Sequence, residues 1–315
     1  MSPFADAVAT AMPSLRPVPP GSFSRPPFKP LPPLKIAFIR GEKCNRPTRA
    51  ADATFSGRGA VVPQTMSQST SQATFAVQKS GERFYADHGW LKTFHSFSFA
   101  DYYDPANMNW GALRVFNDDR VAGGRGFPTH PHKNMEIITY VFDGKLEHRD
   151  TLGSHGIVES GGVQFLSAGT GLQHSEFNAL ADRELHFVQM WVLPGTLDAQ
   201  PSYGQFDFDL AARRGRWLAV ASGESNDAPI RLTQHATLRV AKLEGAELAY
   251  RFAPGRLGFL FAGKGRTTVR ARDVGGDAHR AELGAGDAIR LGAIDELAAS
   301  GDAELVFWDV PPIAH

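Results

Sequence analysis

From Phe75 onward the chain is a succession of short runs rich in β-branched and aromatic residues, cut at intervals by glycine. This texture restricts it to an architecture of many short strands. The runs Trp110 to Asn117, Glu136 to Phe142, Leu146 to Asp150, Val163 to Ser167 and Leu185 to Leu193 form a first set. After a linker from Gly223 to Pro229 comes a second: Thr237 to Leu243, Glu247 to Phe252, Leu257 to Phe261, Thr267 to Arg272, Ala288 to Leu291 and Glu304 to Asp309. The two sets share a rhythm, and each has a glycine-centred turn near its middle, Asp143-Gly144 and Ala262-Gly263-Lys264-Gly265. An internally duplicated β-barrel is the economical reading. Asp143-Gly144 predicts a hairpin, because a type I′ turn needs positive φ at both central residues. In the run 185–193, Leu185, Phe187, Gln189, Trp191 and Leu193 share one face and His186, Val188, Met190 and Val192 the other, so both faces are expected to be buried.

Residues 1–65 differ in kind. They hold 12 of the chain's 21 prolines, nine Lys/Arg and three acids, so the segment carries +6 and the remaining 250 residues −6. Proline fixes φ and removes a donor, so runs such as Arg16-Pro17-Val18-Pro19-Pro20 predict a disordered arm. The first 30 residues lack the apolar core of a secretory peptide, and the prolines spoil the amphipathic helix of a transit peptide. The favoured reading is translation from an upstream start, with Met66 the true first residue. The expected division is therefore 1–72 as a Pro-rich extension, 73–212 as a first barrel domain and 213–315 as a second. Lys+Arg and Asp+Glu balance at 33 each, which argues against direct nucleic-acid binding through a basic field. No run of 18 apolar residues predicts a membrane span. The single cysteine, Cys44, excludes an internal disulfide and every Cys-rich zinc module, and fits a reducing compartment such as the cytoplasm.

Chemistry concentrates in the first half. His130 and His132 stand two apart around Pro131, and on an extended backbone such residues point to the same side, about 6 to 7 Å apart. Pro131 places this pair on an edge strand or at a strand entrance. His174 and Glu176 repeat the spacing. Two such pairs on facing strands would put three imidazoles and one carboxylate into a barrel, a donor set suited to one divalent first-row metal that leaves positions open for substrate and dioxygen. Between Arg216 and His315 no histidine is so paired, so the second barrel is expected to be without metal ligands. His88, His95, His148, His155 and His186 are read as structural or exposed.

The stretch Gly124, His130, His132, Glu136, Gly144 resembles the first cupin motif, with one extra residue before the last glycine, and Gly171, His174, Asn178 resembles the tail of the second. Within the cupins, Asp87-His88-Gly89-Trp90, Phe97-Ser98-Phe99-Ala100-Asp101-Tyr102-Tyr103-Asp104, Phe127-Pro128-Thr129-His130-Pro131-His132 and Ser167-Ala168-Gly169-Thr170-Gly171 resemble the pirin family, over about Phe75 to Pro311. That resemblance implies an all-β bicupin, two tandem small barrels of the double-stranded β-helix type, with His130, His132, His174 and Glu176 as metal ligands. Many other cupins use the motif-one carboxylate, here Glu136. Glu176 is the expected ligand because its relation to His174 needs no bulge and the pirin pattern agrees, which leaves Glu136 near the site as a supporting carboxylate or one at the edge of the core.

The resemblance further implies quercetin 2,3-dioxygenase activity on a flavonol-like small molecule with O2, with iron the expected metal and Mn, Co, Ni, Cu or Zn compatible with the donors. Glu176 is then both ligand and general base. Phe127, Met135, Phe165 and Leu172 are candidate pocket walls. The opposing reading, also drawn from pirins, is a non-enzymatic, redox-sensitive metal protein that binds a protein partner such as a transcription factor.

Overall fold

The computed structural model describes residues 73–313. The expectations for residues 1–72, with Met66 and Cys44, and for His315 lie outside the described residues. The first half contains β1 (Thr74–Gln78), β2 (Phe84–Asp87), β3 (Leu91–His95), β4 (Leu113–Val121), β5 (Gly126–His132), β6 (Glu136–Asp143), β7 (Lys145–Asp150), β8 (His155–Glu159), β9 (Val163–Ser167), β10 (Leu172–Asn178), β11 (Leu185–Val192) and β12 (Ser202–Phe206). The second contains β13 (Leu218–Ser222), β14 (Ile230–Arg231), β15 (Thr237–Lys242), β16 (Glu247–Arg251), β17 (Leu257–Asp273), β18 (Ala278–Gly284), β19 (Ala288–Gly292) and β20 (Ile294–Val310). Two short 3-10 turns, Ser80–Glu82 and Leu210–Arg213, are the helical elements among the described residues.

The first barrel closes a seven-stranded sheet, β12-β9-β6-β11-β4-β3-β2, over a four-stranded sheet, β5-β10-β7-β8. A nine-stranded sheet makes the second: β17 and β20 run long and pair along almost their whole length, with β16 and β18 added at their far ends. β1 lies in this second sheet, antiparallel to β19, although it belongs to the first half of the sequence. β13, which precedes the Gly223–Pro229 linker, also belongs to it.

Strand periodicity decides where each core lies. On β11, Val188, Met190 and Val192 face the second barrel, in one cluster with Phe116, Ile138, Tyr140, Phe259, Phe261, Val306 and Trp308. Leu185 and Phe187 face into the first barrel with Val121, Val141, Leu146 and Val158. The seven-stranded sheet is thus buried on both faces. The inside of the second barrel is mainly hydrocarbon, from Leu243, Leu248 and Leu260 to Ile289, Leu297, Leu305 and Phe307, with Asp309 buried beside them on β20 and paired with Tyr250 and Arg256. Each of these buried apolar side chains contributes up to about 1.5–3 kcal/mol.

Two of the predicted turns are something else. β6 pairs with β9 and β11 and not with β7, so Asp143-Gly144 is a corner where the chain passes from one sheet to the other. Gly144 has φ 93°, and a Cβ there would lie 3.0 Å from Leu185 Cα. A turn residue pair therefore marks a sheet crossing here, because β11 takes the hairpin partner's place. Likewise Ala262 to Gly265 continues β17, with a bulge between Ala262 and Lys264 instead of a turn. The two segments meet: a Cβ on Gly263 would lie 1.9 Å from Phe142 Cζ, and Lys264 Nζ donates to Asp143 Oδ1 (2.9 Å) and to the Phe142 carbonyl (3.1 Å). Gly263→Ala should cost about 1–3 kcal/mol in chemical denaturation by displacing the Phe142 ring from the interface between the barrels. A wild-type midpoint for that variant would show that the ring is not seated on this backbone.

Candidate metal centre

The four-stranded sheet places the candidate donors in rows. β10 is its second strand, with β5 at the edge on one side and β7 on the other, so Pro131 does sit on an edge strand, opposite Gln173. His174 lies opposite His130 on β5 and opposite Asp150 on β7. Glu176 lies opposite His148 on β7. On the β5 side the register shifts between His174 and Glu176, which places Glu176 opposite Phe127; the β7 side runs without interruption. Along β10 itself His174 and Glu176 are related without a bulge, and the shift is confined to the β5 edge. The extra residue lies on β5, so both β10 side chains still point inward.

His130, His132 and His174 each offer a ring nitrogen, all within 4.8 Å of one another. Their ring centroids are 4.5–4.8 Å apart. A second group, His148, His174 and Glu176, meets the same criterion and is fully buried. His174 belongs to both. Among the described residues such groups occur in the first barrel alone.

Several observations show that these residues suit a cation. Burial and the adjacent imidazoles push the His132 ring down to about 3 and the His174 ring down to about 2, so both are neutral with a lone pair to give. Nδ1 of His130 lies 2.9 Å from the Pro128 carbonyl, which can only accept, so Nδ1 carries a hydrogen and the neutral ring offers Nε2 as its lone-pair nitrogen. Nε2 of His174 is buried without any protein hydrogen-bond partner, a costly state for a polar atom that a metal ion would relieve. Glu176 is 1% exposed; Gln164 Nε2 donates to its Oε1 (2.6 Å) and Gln189 Nε2 to its Oε2 (2.8 Å). Each carboxylate oxygen keeps a further lone pair for a metal or a proton.

Glu136 is elsewhere. It begins β6 on the face toward the second barrel, where its Oε1 accepts from Thr233 N (2.7 Å) and its Oε2 from Gln234 N (3.3 Å). Side chains alternate along a strand, so the same pleat that sends Ile137 and Thr139 inward sends Glu136 away from the histidines. It clamps the barrels together and does not support the site. Phe165 also departs from expectation, since it faces the second barrel in the cluster between the halves. Phe127 packs against Trp90, and Met135 and Leu172 gather with Trp191 and Tyr203 beside the centre.

Spacing missed several inward side chains. Trp191 lies edge-on to His132 with centroids 4.9 Å apart, and Phe99 stands against Trp191. His148 is buried, stacks on Tyr203 and pairs with Asp150, so His148-Arg149-Asp150 is a third pair of donors two residues apart. Gln164 and Gln189 are lone polar residues on the inward faces of apolar strands, a signal visible in sequence once the parity is fixed. Deeper in the same barrel Thr93, Asn117, Asp119 and Thr139 are buried polar residues.

A two-barrel chain of this topology, with one cluster of histidine and carboxylate donors at the first barrel, is a cupin-type protein. A family model described as Pirin matches residues 76–192. A pirin-like protein of Caulobacter vibrioides is 44% identical over 227 residues, 71% of this chain and 94% of that protein. A quercetin 2,3-dioxygenase of Escherichia coli strain K12 is 39% identical over 238 residues, 75% of this chain and 99% of that protein. The crystal structure of the Escherichia coli bacterial pirin YhhW in complex with nickel(II) matches with a TM-score of 0.68 and 35% identity, over 76% of this chain and 100% of that one. The chain belongs to the pirin family. Among the described residues, no helix is long and apolar enough to cross a membrane.

Burial pushes Asp119 up to about 7, with the neighbouring Asp118 and Glu176 carboxylates adding to the effect. A folded-state pKa above the unfolded value means that the native state holds the proton longer, so this group costs stability as pH rises from about 4 to about 7. In chelator-treated protein, Asp119→Asn should therefore gain stability relative to wild type over that window, by up to about 1.4 kcal/mol per pH unit, and level off above it. A difference independent of pH would mean that Asp119 ionises as it does in water.

Proposed function

We propose that this pirin is a metal-dependent oxygenase that opens the ring of a flavonol-like substrate with dioxygen, with His130, His132, His174 and Glu176 as the ligands of one divalent cation, iron the first candidate. The observation that carries the reading is the bare, buried Nε2 of His174 beside the imidazoles of His130 and His132. Relatives named quercetin 2,3-dioxygenase, alignable over nearly their whole length, supply the substrate class. A cytoplasmic location belongs to the same reading.

The bound cation would supply Lewis acidity, which lowers the pKa of a phenolic or enolic hydroxyl. The chain supplies the rest. Glu176 takes the proton of the substrate 3-hydroxyl on a carboxylate oxygen, while Gln164 and Gln189 hold that carboxylate in one plane. Trp191, Leu172 and Met135 give an apolar flank against which a flat aromatic ring can lie. His130 is half-buried and its neighbours Pro131 and Lys133 are exposed, so substrate approaches from the β5 edge. The buried interior beyond His174 and Glu176 keeps bulk water from the other side.

Iron-loaded protein incubated with quercetin in air should consume the flavonol and release carbon monoxide. No turnover at full metal occupancy would instead favour a metal-binding interaction protein. His130→Ala and His174→Ala should each lose stoichiometric metal and all turnover, as read by elemental analysis after gel filtration. Glu176→Gln should reduce metal retention or rate far more than Glu136→Gln, whose deficit should fall on stability; the reverse order would move the carboxylate ligand to position 136.

A further inference from the structure

Asp150, His148 and His174 form a chain of hydrogen bonds in which each donor dictates the next. Oδ1 of Asp150 accepts from Leu152 N (2.9 Å) and Ser154 N (3.0 Å), and its Oδ2 lies 3.0 Å from His148 Nε2. The side chains of His148 and Asp150 have no solvent exposure. An ionised carboxylate only accepts, so His148 Nε2 carries the hydrogen. In its neutral form, with the hydrogen on Nε2, His148 presents a bare Nδ1, which lies 3.3 Å from Nδ1 of His174. Two bare nitrogens at that distance would repel, so His174 Nδ1 must donate. Its other nitrogen, Nε2, is then the bare one, and it is the atom that has no partner in the protein.

We propose that His148 is a positioning residue for the metal centre: by accepting from His174 Nδ1–H it fixes the tautomer that leaves His174 Nε2 free for a cation, and Asp150 fixes His148 in turn. The inference rests on the reading of His174 as a ligand. Other His–Asp pairs lack this arrangement. His186 shares Asp118 with Arg83 at the junction of the barrels, and His279 pairs with Asp273 in the second barrel; neither ring is hydrogen-bonded to a second imidazole. Tyr203 lies flat on His148, with centroids 4.1 Å apart and planes 9° apart, which holds the plane of the accepting ring. The strand register explains why the contact exists, since His148 stands opposite Glu176 and therefore diagonal to His174, a separation that long side chains bridge.

Zinc(II), which is diamagnetic, is a suitable probe, with its affinity read by chelator competition and the histidine tautomers by nitrogen-15 NMR. Metal-free wild type should show His174 protonated at Nδ1, a readout that needs no variant to fold. His148→Phe keeps the stacked ring but removes the acceptor, and should weaken zinc binding about 10- to 100-fold with His174 redistributed toward the Nε2–H form. His148→Gln, whose amide oxygen can accept, should restore most of the affinity. Wild type protonated at His174 Nε2, or His148→Phe within twofold of wild type, would overturn the proposal, as would two zinc ions per chain, since His148 would then be a ligand itself. His174→Ala separates the two readings: if it too binds zinc as wild type does, the ligand assignment fails, and if it loses zinc while His148→Phe does not, only the positioning role fails.

Discussion

The pleat of one strand, β10, and its register against β5 and β7 underlie everything at the centre. Residues two apart on a strand point the same way, so β10 sends His174 and Glu176 inward together. Antiparallel pairing then sets His130 beside His174 on one side and His148 beside Glu176 on the other. Three neighbouring strands each contribute two polar side chains to one small volume. A slip of one residue in β10 would turn both donors to the surface and bring Gln173 and Ser175 inward.

The two barrels differ in what they bury. The second fills its interior mainly with hydrocarbon, which stabilises the fold. The first keeps part of its interior polar, with Thr93, Asn117, Asp119, Thr139, Gln164 and Glu176 all buried, and burial of such groups is unfavourable unless each finds a partner. Stability for this arrangement comes from outside the site, through the aromatic cluster of Phe97, Phe116, Phe259, Phe261 and Trp308 and the hydrogen bonds that Glu136 and Tyr140 make across the junction. The carboxylate of the first cupin motif thereby serves attachment of the two halves in this chain.

Strand runs were legible because their apolar residues alternate or are continuous: Val163–Ser167 and Leu185–Val192 fall within one residue of their expected bounds. The pairing of His130 with His132 and of His174 with Glu176 on one side of a strand was legible because residues two apart on an extended backbone point the same way. Connectivity was not. Asp143-Gly144 satisfies the local chemistry of a hairpin, and only the longer-range pairing of β6 with β11 shows it to be a corner. Gly263 reads as a turn residue, yet its lack of a side chain makes room for Phe142 from the other barrel, a tertiary reason that no local pattern carries. His148 escaped because a His-x-Asp pair is common, and its meaning depends on which nitrogen faces His174, which is a matter of three dimensions.

The central claim is that the bare nitrogens of three histidines, with Glu176, share one cation. Anomalous diffraction from a metal-loaded crystal, collected on both sides of the metal's absorption edge, tests it most directly. The account predicts a single peak per chain at bonding distance from Nε2 of His130, Nε2 of His174, a His132 nitrogen and a Glu176 oxygen. A peak held by His148 in place of His130 and His132, or by Glu136, would contradict it.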